Sequence, residues 1–244
     1  MTDSETILAA VGVRKRFGAL AVLDGVDFRV GSGEAVGIVG PNGAGKTTLL
    51  NVLAGSLRAS EGSIQFRGAD VSRTSSARRC ALGIGRAHQI PRPFGGMTVF
   101  ENVFVGAATG GRQRGQRAYD RCIDVLERCD LVDVANRRAE SLGLLHRKRL
   151  ELARALATGP AVLLLDEIGG GLTDAEAGEL VRTISALRAD GIAIVWIEHI
   201  VHVLLQVVER LVCMDAGRVI ADGDPATVMK DAAVIDAYLG SSAA

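Results

Sequence analysis

Short apolar runs alternate with polar punctuation along the chain, and the period of that alternation predicts its elements. Residues 7–39 set apolar runs (ILAAVGV, LAVLDGVDFRV, EAVGIVG) against Gly and Asp, which predicts several strands ending at Val39. Residues 46–55, KTTLLNVLAG, predict a helix closed by Gly55. Residues 60–71 predict a hairpin around Glu61-Gly62 and Arg67-Gly68. Residues 98–107 and 115–129 have helical spacing, and 110–117 (GGRQRGQR) is the strongest loop candidate near them. In residues 146–158, Leu150, Ala153, Leu156 and Ala157 fall on one helix face. Residues 161–165 and 192–197 are continuous apolar strands. Between them, residues 174–189 predict an amphipathic helix opened by Asp174. A helix over 200–208 and a hairpin over 211–222, turning at Asp215–Gly217, follow.

Apolar strands interleaved with helices imply a parallel sheet covered on both faces. The predicted class is α/β, with a mixed or parallel central sheet and an N-terminal antiparallel β part. A single domain spans 1–244. Its core comprises about 1–85 and 155–244, and about 86–154 form an inserted helical subdomain.

Composition narrows the function. Hydrophobic residues make up 48 % of 244, enough for a sizeable core. Lys+Arg and Asp+Glu are equal at 28 each, so no overall charge favours nucleic acid or anionic lipid. Aromatic residues are only 4 %, which argues against a base-stacking platform. Arg78-Arg79 and Arg147-Lys148-Arg149 are the candidate basic patches, and as short charge runs they are expected on solvated faces. The four cysteines contain no C-x-x-C pair and are expected to be reduced thiols. The first ten residues have no basic region and no long apolar stretch, so no secretory signal is expected. The longest apolar runs fall far short of the roughly 20 residues needed to span a bilayer.

The candidate chemistry is concentrated at three places. Gly40-Pro41-Asn42-Gly43-Ala44-Gly45-Lys46-Thr47 fits G-x-x-x-x-G-K-[ST] in full, with an apolar strand before it and a helix after it. Such a loop wraps its amides round phosphate oxygens, and the helix start adds its positive dipole end. Lys46 is suited to the β- and γ-phosphates, and Thr47 to Mg²⁺. Thr48 continues the same helix start. Second, the apolar run Ala161–Leu165 delivers Asp166-Glu167 at a strand end, where ligands sit in open α/β sheets. Asp166 is suited to hold Mg²⁺ through its water shell and Glu167 to polarise an attacking water. Alone, two acids after an apolar run also describe a strand ending at the surface. Third, strand 192–197 ends at Glu198-His199.

Together these pieces resemble the nucleotide-binding subunit of ABC transporters, over essentially the whole chain. The resemblance implies ATP and Mg²⁺ as cofactors and ATP hydrolysis as the activity. It places Phe17, in RKRFGAL, as the ring that stacks on adenine. Gln89, in RAHQIPRPFGGMTVFENV, matches the Q-loop glutamine that contacts Mg²⁺ and senses the membrane subunit. Gly169–Asp174 matches the D-loop that faces a partner ATPase, and His199 matches the switch histidine. Catalytic roles therefore fall on Glu167, His199 and Gln89. Within the family, HQIPRPFGGMTVFENV, KRLELARALATGP and DGDPATVMKDAAVIDAYLG resemble uptake systems for branched-chain amino acids. The implied partners are integral-membrane permease subunits, a second ATPase subunit in a heterodimer and, indirectly, an extracellular solute-binding protein. No nucleic acid is implied. The implied location is peripheral, on the cytoplasmic face of the inner or plasma membrane. The lipopolysaccharide-export ATPase has a similar tail, and a soluble non-transport ABC ATPase is the alternative class.

One motif departs from the family. Where the signature Leu-Ser-Gly-Gly-Gln belongs, this chain has Leu142-Gly143-Leu144-Leu145-His146. The serine expected to touch the partner's γ-phosphate is replaced by Gly143, the second glycine by Leu145 and the glutamine by His146. Ile168 stands where a Pro usually follows the Glu.

Overall fold

The structure, a computed structural model, describes residues 5–240; part of the stretch read above for a secretory signal lies outside them. The N-terminal region builds strands β1 (Thr6–Phe17) and β2 (Leu20–Gly31), then the short β3 (Ala35–Val39). Helix α1 (Lys46–Ala54) follows the phosphate loop and is capped by Gly55, as predicted. Strands β4 (Glu61–Phe66) and β5 (Ala69–Asp70) form the predicted hairpin. Its turn is Arg67-Gly68, both at positive φ, while Glu61-Gly62 only begin β4. Helix α2 (Ser76–Leu82), capped by the Ser75 hydroxyl, and strand β6 (Ile84–Ala87) were not expected from the pattern.

The middle of the chain is helical: α3 (Val99–Val105), a π-helical turn over Gly106–Gly110, α4 (Gln116–Arg128) and α5 (Leu144–Ala157). Helix α5 starts two residues earlier than its apolar spacing suggested. Strand β7 (Val162–Asp166), helix α6 (Asp174–Ala189) and strand β8 (Ala193–Ile197) lie where expected. Helix α6 is opened by Thr173 rather than Asp174. The Thr173 hydroxyl accepts the Glu176 N–H, and Glu176 reaches back to Thr173, so a hydroxyl-based capping box decides the start. The helix expected over 200–208 is reduced to α7 (Val201–Leu204) and turns. Strands β9 (Arg210–Asp215) and β10 (Arg218–Gly223) form the last hairpin, and α8 (Pro225–Val228) and α9 (Ala232–Gly240) close the described chain.

Two sheets result. One is antiparallel, in the order β2-β1-β4-β5. The other has the order β10-β9-β3-β8-β7-β6, parallel except for the edge strand β10. All five residues of β3, β7 and β8 are buried, which is why these strands read as continuous apolar runs. Their alternation divides the core. Leu163, Leu165, Ile194 and Trp196 face the layer holding α3 to α6. Val162, Leu164, Val195 and Ile197 face α1 and the antiparallel sheet.

The basic runs lie only in part on solvated faces: Arg78 and Arg147 are exposed, and the other three residues are buried. Arg79 is 1 % exposed, Lys148 3 % and Arg149 5 %. Arg79 donates to the carbonyls of Val52 and Leu53 at 2.6 and 2.8 Å, which satisfies the C-terminal end of α1. Arg149 pairs with Asp130 and Glu179.

Candidate functional site

The phosphate loop leaves β3 at Val39 and enters α1 at Lys46. Its path requires glycine at two places. Gly40 has φ +141°, and a Cβ there would lie 2.0 Å from the Met214 carbonyl oxygen. Gly45 has φ +96°, and a Cβ would lie 2.7 Å from the Val22 carbonyl oxygen. The Lys46 ammonium arches back over the loop, donating to the carbonyls of Gly40 at 2.6 Å and Pro41 at 2.9 Å. Burial holds its pKa below the usual lysine range, partly opposed by the nearby Glu167 and Asp166 carboxylates. A cleft of about 190 Å³ opens over the loop, lined by Val22, Asn42–Thr48 and Glu167. The loop is also held from the far end of the chain. The Gly40 N–H donates to the Tyr238 hydroxyl of α9 at 2.9 Å.

Strand β7 brings the acids to the cleft. Thr47 Oγ1 lies 3.4 Å from Asp166 Oδ1. Glu167 stands just past the strand in a left-handed conformation, φ +47°. Its N–H donates to the Ile197 carbonyl at 2.9 Å. Its carbonyl accepts from Gly170 N–H at 3.2 Å and lies 3.4 Å from the Lys148 ammonium. The Glu167 carboxylate is bracketed: Gln89 Nε2 donates to one oxygen at 2.5 Å, and His199 Nε2 lies 2.8 Å from the other. Lys148 also donates to the Gln89 carbonyl at 2.6 Å, tying α5 to the segments of Gln89 and Glu167. Behind them sits Glu198, 2 % exposed, accepting from Gly169 N–H and Trp196 Nε1–H, both at 3.2 Å. Burial pushes its pKa up.

The loop residues Gly40–Thr48, Gln89, Asp166, Glu167 and His199 thus converge at the C-terminal edge of the parallel sheet. Two predicted features do not join them. Phe17 ends β1 with a half-exposed ring, 4.9 Å from the Lys15 ammonium, outside the lining of the cleft. No residue of the segment Leu142–His146 lines the cleft over the loop. Leu142 is buried, Gly143 caps α5 with no side-chain bond, and Leu145 and His146 are half-buried. Leu144 is exposed and its Cδ2 would lie 3.2 Å from a Cβ at Gly171. Arg86, Lys148 and Tyr238 join the site from positions with no phosphate-binding motif around them. A lone Arg in a short strand was the only signal for the first, and nothing local pointed to the third.

Among the described residues, no cluster of three or more His, Cys, Asp or Glu is placed to hold a metal. The donors at the cleft are a hydroxyl, a carboxylate and an amide. That all-oxygen set suits Mg²⁺, which keeps several waters and takes the rest of its shell from phosphates.

A glycine loop over a helix start, with acids at the ends of buried parallel strands, defines a nucleoside-phosphate-binding protein of the P-loop class. Residues 23–169 match the ABC transporter family, and the chain belongs to it. Residues 218–244 match the family of branched-chain amino acid ATP-binding cassette transporters. The probable branched-chain amino acid transport ATP-binding protein LivG of Methanocaldococcus jannaschii is 32 % identical, over 98 % of this chain and 100 % of its own length. LivG of Salmonella typhimurium, a high-affinity branched-chain amino acid transport ATP-binding protein, is 34 % identical over the same shares. The solved ADP conformation of MJ1267, an ATP-binding cassette of an ABC transporter, superposes with a TM-score of 0.89 at 31 % identity. That match covers 97 % of this chain and 100 % of the other.

Proposed function

We propose that this chain binds Mg-ATP on the loop Gly40–Thr48, hydrolyses it, and so energises uptake of branched-chain or related hydrophobic amino acids. The observation that carries the hydrolytic part is the bracketing of Glu167. A carboxylate held at both oxygens at the edge of the phosphate cleft is aimed, and an aimed carboxylate can take a proton from an attacking water. Lys46 is set to exchange its two loop carbonyls for β- and γ-phosphate oxygens. Thr47, Asp166 and Gln89 would hold Mg²⁺, which when bound shields the charge on the phosphates. His199 would hold the γ-phosphate side. Phe17 would stack on adenine beyond the loop.

The names of the relatives supply the cargo class. Among the described residues no helix is long and apolar enough to cross a membrane, so the work is expected to pass to separate permease subunits at the cytoplasmic face. An extracellular binding protein would choose the solute. Because no residue of Leu142–His146 lines this chain's own cleft, the segment is expected to close the cleft of a second ATPase subunit, and the altered residues favour a heterodimer. About 86–154 would act as the helical subdomain that carries this segment.

The test is deletion and complementation, with phosphate release measured on the complete transporter. Deleting this chain should abolish ATP-driven uptake of labelled leucine in cells, and plasmid-borne wild type should restore it. Unimpaired leucine uptake in the deletion strain would reject the cargo class. Absence of phosphate release from the complete transporter would reject the activity.

A further inference from the structure

We propose that Arg86 is a positioning residue for Asp166, fixing which carboxylate oxygen is turned to the metal side of the cleft; this rests on the nucleotide-site reading above. The two Asp166 oxygens have different surroundings. Oδ1 faces Thr47 Oγ1 at 3.4 Å, and Oδ2 accepts from Arg86 Nη2 at 2.9 Å. Both side chains are largely buried, 11 % and 5 % exposed, so water screens the pair only weakly.

The guanidinium is itself held in place. Its other arm, Nη1, donates to Asn51 Oδ1 at 2.6 Å and lies 3.2 Å from Ser56 Oγ. Ser56 Oγ bonds to Asn51 Oδ1 at 3.0 Å, so Asn51, Ser56 and Arg86 form a closed set. Asn51 lies on α1, the helix that begins with Lys46 and Thr47. One planar group therefore ties the helix carrying the phosphate lysine to the strand carrying the acid.

Strand register explains why Arg86 reaches that far. Arg86 lies opposite Leu164 in the parallel pair of β6 and β7. Leu164 faces the α1 side of the sheet, and side chains two apart share a face, so Arg86 and Asp166 emerge on that same side. The Arg86 Nε–H is buried with no hydrogen-bond partner. A neutral side chain would avoid that unpaired donor, so the site keeps arginine for its two Nη arms rather than for complete satisfaction.

A free aspartate rotates about its last torsion and presents either oxygen. Held at Oδ2, it presents Oδ1 to Thr47. Residues that orient a metal's ligands commonly change metal affinity by about 10–100-fold when removed. The expected loss is therefore in metal affinity, with nucleotide contacts to the loop amides and Lys46 left in place.

The experiment uses the full chain, ADP and Mn²⁺ as the probe metal. ADP affinity is measured in EDTA, and free Mn²⁺ is then counted by electron paramagnetic resonance as it is titrated into the ADP complex. Arg86→Ala should bind ADP in EDTA like wild type, and its Mn²⁺ affinity should fall about 10-fold or more. Arg86→Lys keeps the charge but lacks the fork that spans Asn51 and Asp166, so its loss should be intermediate. If Arg86→Ala does not fold, as judged by thermal unfolding, Arg86→Lys carries the test alone. Unchanged Mn²⁺ affinity in the folded variant would overturn the proposal. So would an equal loss of ADP affinity in EDTA, which marks general support of the fold. Failure of the wild type to bind ADP at all would instead reject the nucleotide-site reading.

Discussion

His199 Nε2 lies 2.8 Å from Glu167 Oε1, which joins the ends of two parallel strands at the edge of the phosphate cleft. With Gln89 on the other oxygen, the Glu167 carboxylate is held on both sides. Glu167→Gln keeps the shape and removes the proton acceptor. It should retain Mg-ATP binding and slow hydrolysis by about 100-fold or more, since a positioned base contributes about 10²–10⁴. Phosphate release from the assembled transporter measures this, and wild-type turnover in the variant would remove Glu167 from the mechanism.

Lys46 spans the loop, bonding to the Gly40 and Pro41 carbonyls. Lys46→Ala should therefore both loosen the loop and delete the charge that faces the phosphates. The expected loss of Mg-ATP affinity is about 2–4 kcal/mol, typical of truncating one member of a desolvated charge pair. Calorimetry reads it directly. Unchanged affinity would mean that the loop is not the phosphate site.

The segment around Gly143 predicts an asymmetric pair of ATP sites. In the proposed heterodimer, the site built on this chain's Lys46 and Glu167 would be closed by the partner's signature. The site closed by Leu142–His146 would lack the serine hydroxyl. Glu167→Gln in this chain should then abolish most activity, and the equivalent change in the partner should matter much less. Equal losses would mean that the segment still works through the backbone amides at the start of α5. The hydroxyl can also be restored. Apart from its chain neighbours, nothing lies within 4 Å of a Cβ at Gly143, whose backbone is extended at ψ 171°. Gly143→Ser should fit without strain and stabilise α5 by a few tenths of a kcal/mol as an N-cap, measured by thermal unfolding.

Glu198 supplies a pH dependence. Burial raises its pKa above the ordinary 4.5, and the bonds from Gly169 and Trp196 and the charge of Lys148 only partly oppose this. The folded state therefore binds this proton more tightly than the unfolded state. Stability from this group is full below pH 4.5 and is lost as pH rises through the raised folded value. Glu198→Gln keeps a carbonyl acceptor for both donors and carries no charge. Unfolding temperatures from pH 4.5 to 7.5 should fall less steeply in the variant than in wild type. Parallel profiles would show that Glu198 does not titrate in this range.

Much of the site was legible locally because its physics is local. A phosphate loop needs its glycines, lysine and threonine within eight consecutive positions. A buried parallel strand must be apolar on both faces, so Val162–Asp166 and Ala193–Ile197 stand out as runs that end at Asp166-Glu167 and Glu198-His199. Turn and cap chemistry at Gly55 and Arg67-Gly68 was readable for the same reason.

What remained hidden depended on partners distant in the chain. Charge runs are exposed by default, yet Arg79 and Lys148 are buried because helix-end and loop carbonyls from other elements arrive to accept their hydrogen bonds. Short elements such as Ser76–Leu82 and Ile84–Ala87 have too few residues to show a period. The hold of Tyr238 on Gly40, and of Arg86 on Asp166, joins residues 198 and 80 positions apart. The available chemistry and the strand ends that carry it are written in consecutive residues. The groups that hold those side chains in aim come from elsewhere in the fold, because sheet order and strand register, not spacing along the chain, bring such partners within hydrogen-bond reach.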